Sequence, residues 1–299
     1  MTEPYRPRRL PEQSSLELRG VAHHLTVWPG EDPPILLLHG FMDSGATFQF
    51  VADELASGRT LIAPDWRGFG RSGWTPGGYW FPEYFADLDA LLDALRLDTV
   101  DVAGHSMGGN IALAYAGLRP ERVTRVVTLE GFGLPDALPG LAPGRYREWL
   151  DQLRHPEPAT IFPDFEVLAD VLRKRNPRLP ADRAAFVARA WAESLPDGRA
   201  RLRFDPVHKR VNPILYRREE SEACWRAIVG PVAHVAGAES EFLARLRGAG
   251  DAEAMRRHIP QLESFVVEAS GHMLHHDQPR AVARILDEFL TRAPAPSNG

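Results

Sequence analysis

The stretch that most limits what this chain can fold into is "TVDVAGHSMGGNIALAYAGL", residues 99–118. A short apolar run, Val100 to Ala103, gives way at once to Gly-His-Ser-Met-Gly and then to small and aliphatic residues of helical character. A strand can turn into a helix so abruptly only where the turn residue accepts a strained backbone and its neighbours carry no bulk. Gly104 and Gly108 meet the second requirement and leave the Ser106 hydroxyl exposed at the tip of the turn. A serine before a helix is often only an N-cap. A G-x-S-x-G held between strand and helix is the setting of a nucleophile instead.

The segments on either side extend the same pattern. Two period-two runs, "SLELRG" and "AHHLTVW", precede the continuous apolar run "PPILLLHG", which fits an inner strand covered on both faces. Helical "GATFQFVADEL", extended "TLIAPDW", helical "PEYFADLDALLDALRL" and extended "VTRVVTLE" continue the alternation around Ser106. Alternation of this kind predicts a parallel, doubly wound α/β sheet. Between residues 134 and 226 it gives way to helical segments such as "RYREWLDQL", "FEVLADVLRKR" and "DRAAFVARAWAES", separated by prolines. It resumes with "PVAHVAG", "ESFVVEAS" and the closing helix "PRAVARILDEFL", before a tail, "APAPSNG", expected to fray. The expected organisation is a core of residues 1–133 and 227–299 carrying a helical cap of residues 134–226, a mobile lid that sets substrate choice.

Charge and cysteine usage narrow the partners. The net charge of -5 is spread along the chain rather than gathered into runs, which argues against nucleic acid and for a small-molecule substrate. The opening "MTEPYRPRRLPEQSS" has no apolar core, and no later run is long enough to span a bilayer, so no membrane association and a cytoplasmic location are expected. Cys224 is the only cysteine, which excludes an intrachain disulfide and a multi-cysteine zinc site.

Four segments in order, "LLLHGFMDSG", "APDWRGFGRSG", "GHSMGG" and "GHMLHHDQP", resemble the α/β-hydrolase superfamily over nearly the whole chain. The resemblance implies an eight-stranded, mostly parallel sheet with helices on both faces and a helical cap inserted after the sixth strand. It places the chain with the serine-nucleophile, esterase- and lipase-like members rather than with those that attack with aspartate. His272, in the loop after the last strand, stands where that family keeps its base, and imidazole accepts a proton from serine near neutral pH. The backbone N–H groups of Phe41 and Met107 are then expected to form the oxyanion hole.

The acid is the unusual member. The commoner family pattern puts an aspartate after the seventh strand in G-x-x-D, but the matching stretch here is "VAGAESEF", with Ser240 in that slot and Glu239 one residue early. A minority of the superfamily carries its acid directly after the sixth strand, about two dozen residues beyond the nucleophile. Glu130 occupies that position, at the end of the apolar run "RVVTL". A buried carboxylate costs several kcal/mol unless compensated, and hydrogen bonding to the Nδ1–H of His272 would compensate it. Glu130 is therefore the expected acid, with Glu239 as the alternative and an ion pair to Arg67 or Arg125 as the purely structural account.

Other features carry less. His39, Met42, Trp80, Phe81 and Phe132 lie near expected strand ends and are assigned to the substrate pocket, although aromatic residues also serve as plain core. Arg67 and Arg71 read as loop residues paired with nearby acids, and Arg201, Arg203, Lys209 and Arg210 as a solvated face. His275 and His276 sit close to His272, but no neighbouring carboxylate or cysteine completes a metal set, so no metal and no cofactor are expected. The function expected is a cofactor-independent serine hydrolase, monomer or homodimer, acting on carboxylic ester or related acyl bonds. A carbon–carbon bond hydrolase on the same three residues is the neighbouring enzyme reading. A ligand-binding module without turnover is the alternative from another class, separated from both by whether all three positions are filled.

Overall fold

A computed structural model describes residues 3–292 apart from 156, 247 and 249, so the tail "APAPSNG" lies outside the described residues. Six strands come first: β1 (Glu12–Leu18), β2 (Val21–Trp28), β3 (Glu31–Leu38), β4 (Arg59–Pro64), β5 (Val100–His105) and β6 (Val123–Leu129). Among them stand the short α1 (Gln49–Ala52) and the longer α2 (Phe81–Ala94) and α3 (Met107–Leu118). The inserted stretch holds α4 (Ala142–Arg154), β7 (Ile161–Phe162), α5 (Phe165–Arg175), α6 (Ala181–Trp191), β8 (Ala192–Ser194), β9 (Ala200–Leu202) and α7 (Arg218–Arg226). The chain then forms β10 (Val232–Gly237), α8 (Glu241–Arg245), α9 (Ala252–Arg256), β11 (Leu262–Val267), α10 (Leu274–Asp277) and α11 (Pro279–Leu290).

Eight strands make one sheet in the order β1-β2-β4-β3-β5-β6-β10-β11. β2 runs antiparallel to both β1 and β4, and every other neighbouring pair is parallel. The run "PPILLLHG" supplies a strand buried on both sides: Leu36 and Leu38 enter the core under α2 and α3, while Ile35 and Leu37 enter the core under α1 and α11. Alternate side chains of a strand face opposite ways, so a continuous apolar run is what a two-sided core requires. α11 lays Val282, Ile285, Leu286 and Phe289, spaced by a helical turn, on the second face.

The inserted stretch differs from an all-helical cap. β7, β9 and β8 form a small antiparallel sheet, and β8 takes up "AES", the end of a segment expected to be helical throughout. Alanine at positions 192 and 200 is fully buried there, against a cluster built from Leu168, Leu172, Val187 and Ala188 of α5 and α6. α7 packs on α3 instead, so closely that a Cβ on Gly117 would lie 1.9 Å from the carbonyl oxygen of Cys224. The last helix of the insertion is in this sense part of the core layer. Among the described residues no helix is long and apolar enough to cross a membrane.

Candidate active site

Ser106 follows β5 with φ 50° and ψ −113°, a conformation that side-chain-bearing residues rarely adopt. It is pinned from both sides: its N–H donates to the Leu129 carbonyl at 2.8 Å, and its own carbonyl accepts from Asn110 at 2.9 Å. The glycines leave the space the turn needs, since a Cβ on Gly104 would meet the Gly108 carbonyl oxygen at 2.3 Å, and one on Gly108 the Leu38 carbonyl oxygen at 2.1 Å. Among the described residues six non-glycine residues have positive φ, and they include Ser106, Glu130 at the end of β6 and Met42 in the loop after β3. Each such residue stores on the order of 1–3 kcal/mol, and strain concentrated this way marks functional sites.

Glu130 is the second of these strained residues, 1% exposed at the end of β6. Its Oε1 accepts from the Gly237 N–H at 2.8 Å, and its Oε2 accepts from the Ser240 hydroxyl and lies 3.2 Å from His272 Nδ1. Hydrogen bonds to a charged group contribute about 1.5–3 kcal/mol each, so three donors offset a desolvation cost of several kcal/mol. Glu239 is exposed and paired with Arg178 of the cap. Arg67 pairs with Glu83 and Asp87, and Arg125 with Asp101, so neither arginine is the partner of Glu130. Arg71, expected to pair with an acid, binds Asp65 through its backbone N–H.

His272 is held on three sides. Glu130 fixes Nδ1–H, the ring of Phe242 stacks on the imidazole at 4.0 Å, and His105 Nε2–H donates to the His272 carbonyl at 2.8 Å. Burial drives the His105 pKa well below 6.5, so it stays neutral as that single donor. With Nδ1 protonated, Nε2 of His272 keeps the lone pair that a proton acceptor needs.

The loop after β3 lies against the serine: a Cβ on Gly40 would come within 3.2 Å of the Ser106 Cβ. Phe41 follows, half exposed, with its ring against Phe69 and His208, and Met107 is the first residue of α3. His39 is not open to a substrate. It is fully buried, its Nε2 accepts from the Trp66 N–H at 2.9 Å, and its Nδ1 donates to the Gly40 carbonyl at 2.7 Å. Burial lowers its pKa, consistent with a neutral ring that anchors the loop. Phe132 likewise belongs to the core, 4% exposed. Phe81 packs edge-on against Tyr84 and Phe85, and Trp80, half-buried, precedes α2. Only Met42 of the expected pocket residues lines the apolar cavity between cap and core, where it is joined by Phe162, Leu168, Leu172, Trp191 and Leu202.

Sequence reasoning passed over Ser240, Phe242 and His105. Ser240 had a signal: it stands in the slot where the commoner pattern keeps its aspartate. The inserted stretch reaches the same loops, with Arg178 on Glu239, Asn176 on Asp277, Arg183 on the His276 carbonyl and Trp191 on Asp43. The one set of side chains able to hold a metal among the described residues is Asp43, His275 and His276, all buried.

A model of the alpha/beta hydrolase fold family matches residues 33–279. The chain belongs to the α/β-hydrolase family. Among curated relatives it is 28% identical over 291 residues to a 3-hydroxybutyrate-oligomer hydrolase of Cupriavidus necator, covering 92% of this chain and 94% of that one. It is 39% identical over 110 residues to a 2-hydroxy-6-oxo-2,4-heptadienoate hydrolase of Pseudomonas putida, covering 35% and 40% of the two chains. Among solved α/β-hydrolase structures, the thioesterase domain from the curacin biosynthetic pathway superposes with a TM-score of 0.80 at 25% identity, covering 92% of this chain and 98% of that one.

Proposed function

We propose that this α/β-hydrolase is a cofactor-independent serine hydrolase that cleaves carboxylic ester or related acyl bonds through an acyl-enzyme. The observation that carries the reading is the Glu130 carboxylate 3.2 Å from His272 Nδ1, because it leaves Nε2 as the free base of the loop. Ser106 Oγ attacks the acyl carbon as His272 Nε2 takes its proton, and Glu130 stabilises the imidazolium that results. The N–H groups of Phe41 and Met107 receive the negative charge of the tetrahedral intermediate, each donor contributing on the order of 3 kcal/mol. The imidazolium then protonates the leaving alcohol, and a water activated by the same ring releases the acid and restores Ser106. The apolar cavity at Met42, lined by neither Ser106 nor His272 but beginning one residue beyond Phe41, serves as the far end of the acyl site, and the inserted stretch that closes it selects among substrates.

All three positions being filled favours turnover over a ligand-binding module. The relatives divide on bond type: the full-length similarity to a 3-hydroxybutyrate-oligomer hydrolase supports esters, and the shorter one to a heptadienoate hydrolase keeps carbon–carbon cleavage as the second reading. A panel of p-nitrophenyl esters, thioesters and lactones, run beside a coloured ring-cleavage dienoate, tests this. The ester reading expects turnover of short to medium acyl esters that Ser106→Ala abolishes. Turnover of the dienoate alone selects the second reading, and ester activity that survives Ser106→Ala removes the nucleophile assignment.

A further inference from the structure

The loop after β11 carries two histidines that the proposed chemistry does not use. His275 and His276 are buried with ring centroids 4.1 Å apart, and Asp43, from the loop after β3, is buried against them. Asp43 Oδ1 is fully engaged: it accepts from the Ser44 N–H at 2.8 Å, the Thr47 hydroxyl at 2.8 Å and the Trp191 indole N–H at 2.7 Å. Those three donors fix the carboxylate plane and leave Oδ2 facing the imidazoles, 3.4 Å from His275 Nε2 and 3.9 Å from His276 Nε2. None of these three atoms makes a hydrogen bond to any described residue. A buried polar atom without a well-aligned hydrogen bond costs about 1–3 kcal/mol, and the long approach of Asp43 Oδ2 to His275 does not supply one, so three such atoms gathered at one point favour an occupant.

We propose that Asp43 Oδ2, His275 Nε2 and His276 Nε2 bind one divalent transition-metal cation of the zinc type. One ligand atom from each of Asp43, His275 and His276 lies within 4.8 Å of the other two. Zinc with bonds of about 2.0–2.1 Å places its ligands roughly 3.3 Å apart, so the set closes on the ion by small side-chain shifts. Two imidazoles with one carboxylate favour zinc or its first-row neighbours over magnesium and calcium, which prefer oxygen. The donors on Asp43 Oδ1 are the kind of outer support that orients a ligating carboxylate. Asp43 and Trp191 also line the cavity between the inserted stretch and the core.

The ion has a place in the architecture as well as a ligand set. Asp43 belongs to the loop expected to form the oxyanion hole, and His275 lies three residues beyond His272. The His275 ring is 4.2 Å from that of His105, which holds the His272 carbonyl. Metal binding would clasp these two loops together from behind, outside the path of the hydrolytic step.

The test uses full-length protein stripped with a chelator and titrated with zinc against a chromophoric competitor. One ion per chain is expected, with affinity reduced at least about 100-fold in Asp43→Asn and His276→Gln. Asparagine keeps the Oδ1 acceptor for its three donors, and the circular dichroism of each metal-free variant checks that it folds. X-ray absorption of the wild-type zinc complex provides a reading independent of the variants and should show two imidazoles and one oxygen ligand from the protein. Absence of binding, wild-type affinity in either folded variant, or fewer than two imidazoles at the ion would overturn the proposal.

Discussion

Ser240 donates its hydroxyl to the same Glu130 oxygen that faces His272 Nδ1. The family's commoner acid slot thus holds a serine that hydrogen-bonds a carboxylate supplied from the neighbouring strand. The two positions approach one point from β6 and β10, which lie side by side.

That geometry predicts a modest role for the hydroxyl and a transferable one for the carboxylate. Ser240→Ala removes one charge-assisted hydrogen bond, about 1.5–3 kcal/mol, and should lower kcat roughly 10- to 100-fold with a smaller change in KM. In Glu130→Gln, adding Ser240→Asp should restore a measurable part of kcat. A Ser240→Ala enzyme indistinguishable from wild type, or a double variant no faster than Glu130→Gln, would remove Ser240 from the site.

One contact of the inserted stretch with the core runs through His208, whose ring is stacked between Phe69 at 3.9 Å and Tyr79 at 3.7 Å. Gly68 makes room for it, with φ +78° and a Cβ position only 2.3 Å from His208 Nε2. Gly68→Ala adds backbone strain and expels the ring, so it should destabilise the protein by at least about 2 kcal/mol. Chemical denaturation reads this directly, and an unchanged midpoint would mean that the cap is not anchored there.

Buried histidines set the acid side of stability. Burial lowers the pKa of His208 to about 3, of His234 to about 4 and of His276 to about 3. Their folded values lie below the unfolded value of about 6.5, so the unfolded chain binds more protons between the two. Their contribution is complete above pH 6.5 and is lost as the pH falls towards 4, with a slope approaching about 1.4 kcal/mol per unit for each. Denaturation midpoints at pH 7, 6 and 5 should fall in sequence, and a flat profile would contradict burial of these rings in neutral form.

Chain length in the cavity offers a check on the cap's role. Leu172 of α5 lines the apolar cavity beside Met42. Leu172→Trp should shorten the preferred acyl chain of p-nitrophenyl esters while leaving acetate turnover within about a factor of three. An unchanged length profile would place the acyl group elsewhere.

What could be read from residues alone follows from how local the signal is. The alternation of strands and helices, the Ser106 elbow and the positions of His272 and Glu130 each rest on contiguous motifs, and the eight strands follow those runs. His39 was misplaced because a histidine at a strand end looks the same whether it faces solvent or, as here, spends both ring nitrogens on Trp66 and Gly40. Phe132 was misplaced because apolar rings near strand ends do not reveal which layer they enter. The small sheet of β7, β8 and β9 has strands of two or three residues, too short for a period to register. Asp43 and the pair His275 and His276 come from opposite ends of the chain, so the missing carboxylate of that cluster was visible only once β3 and β11 had been placed.

Glu130, rather than the family's usual position, is the proposed acid of the triad, and kcat of two isosteric variants separates the two. Glu130→Gln leaves the carboxamide able to accept from Gly237 but removes the charge that stabilises the His272 imidazolium, so kcat should fall on the order of 10⁴-fold. Glu239→Gln breaks an exposed pair with Arg178, worth about 0–1 kcal/mol, and should stay near wild type. The reverse pattern, a collapse in Glu239→Gln with Glu130→Gln close to wild type, would move the acid to Glu239.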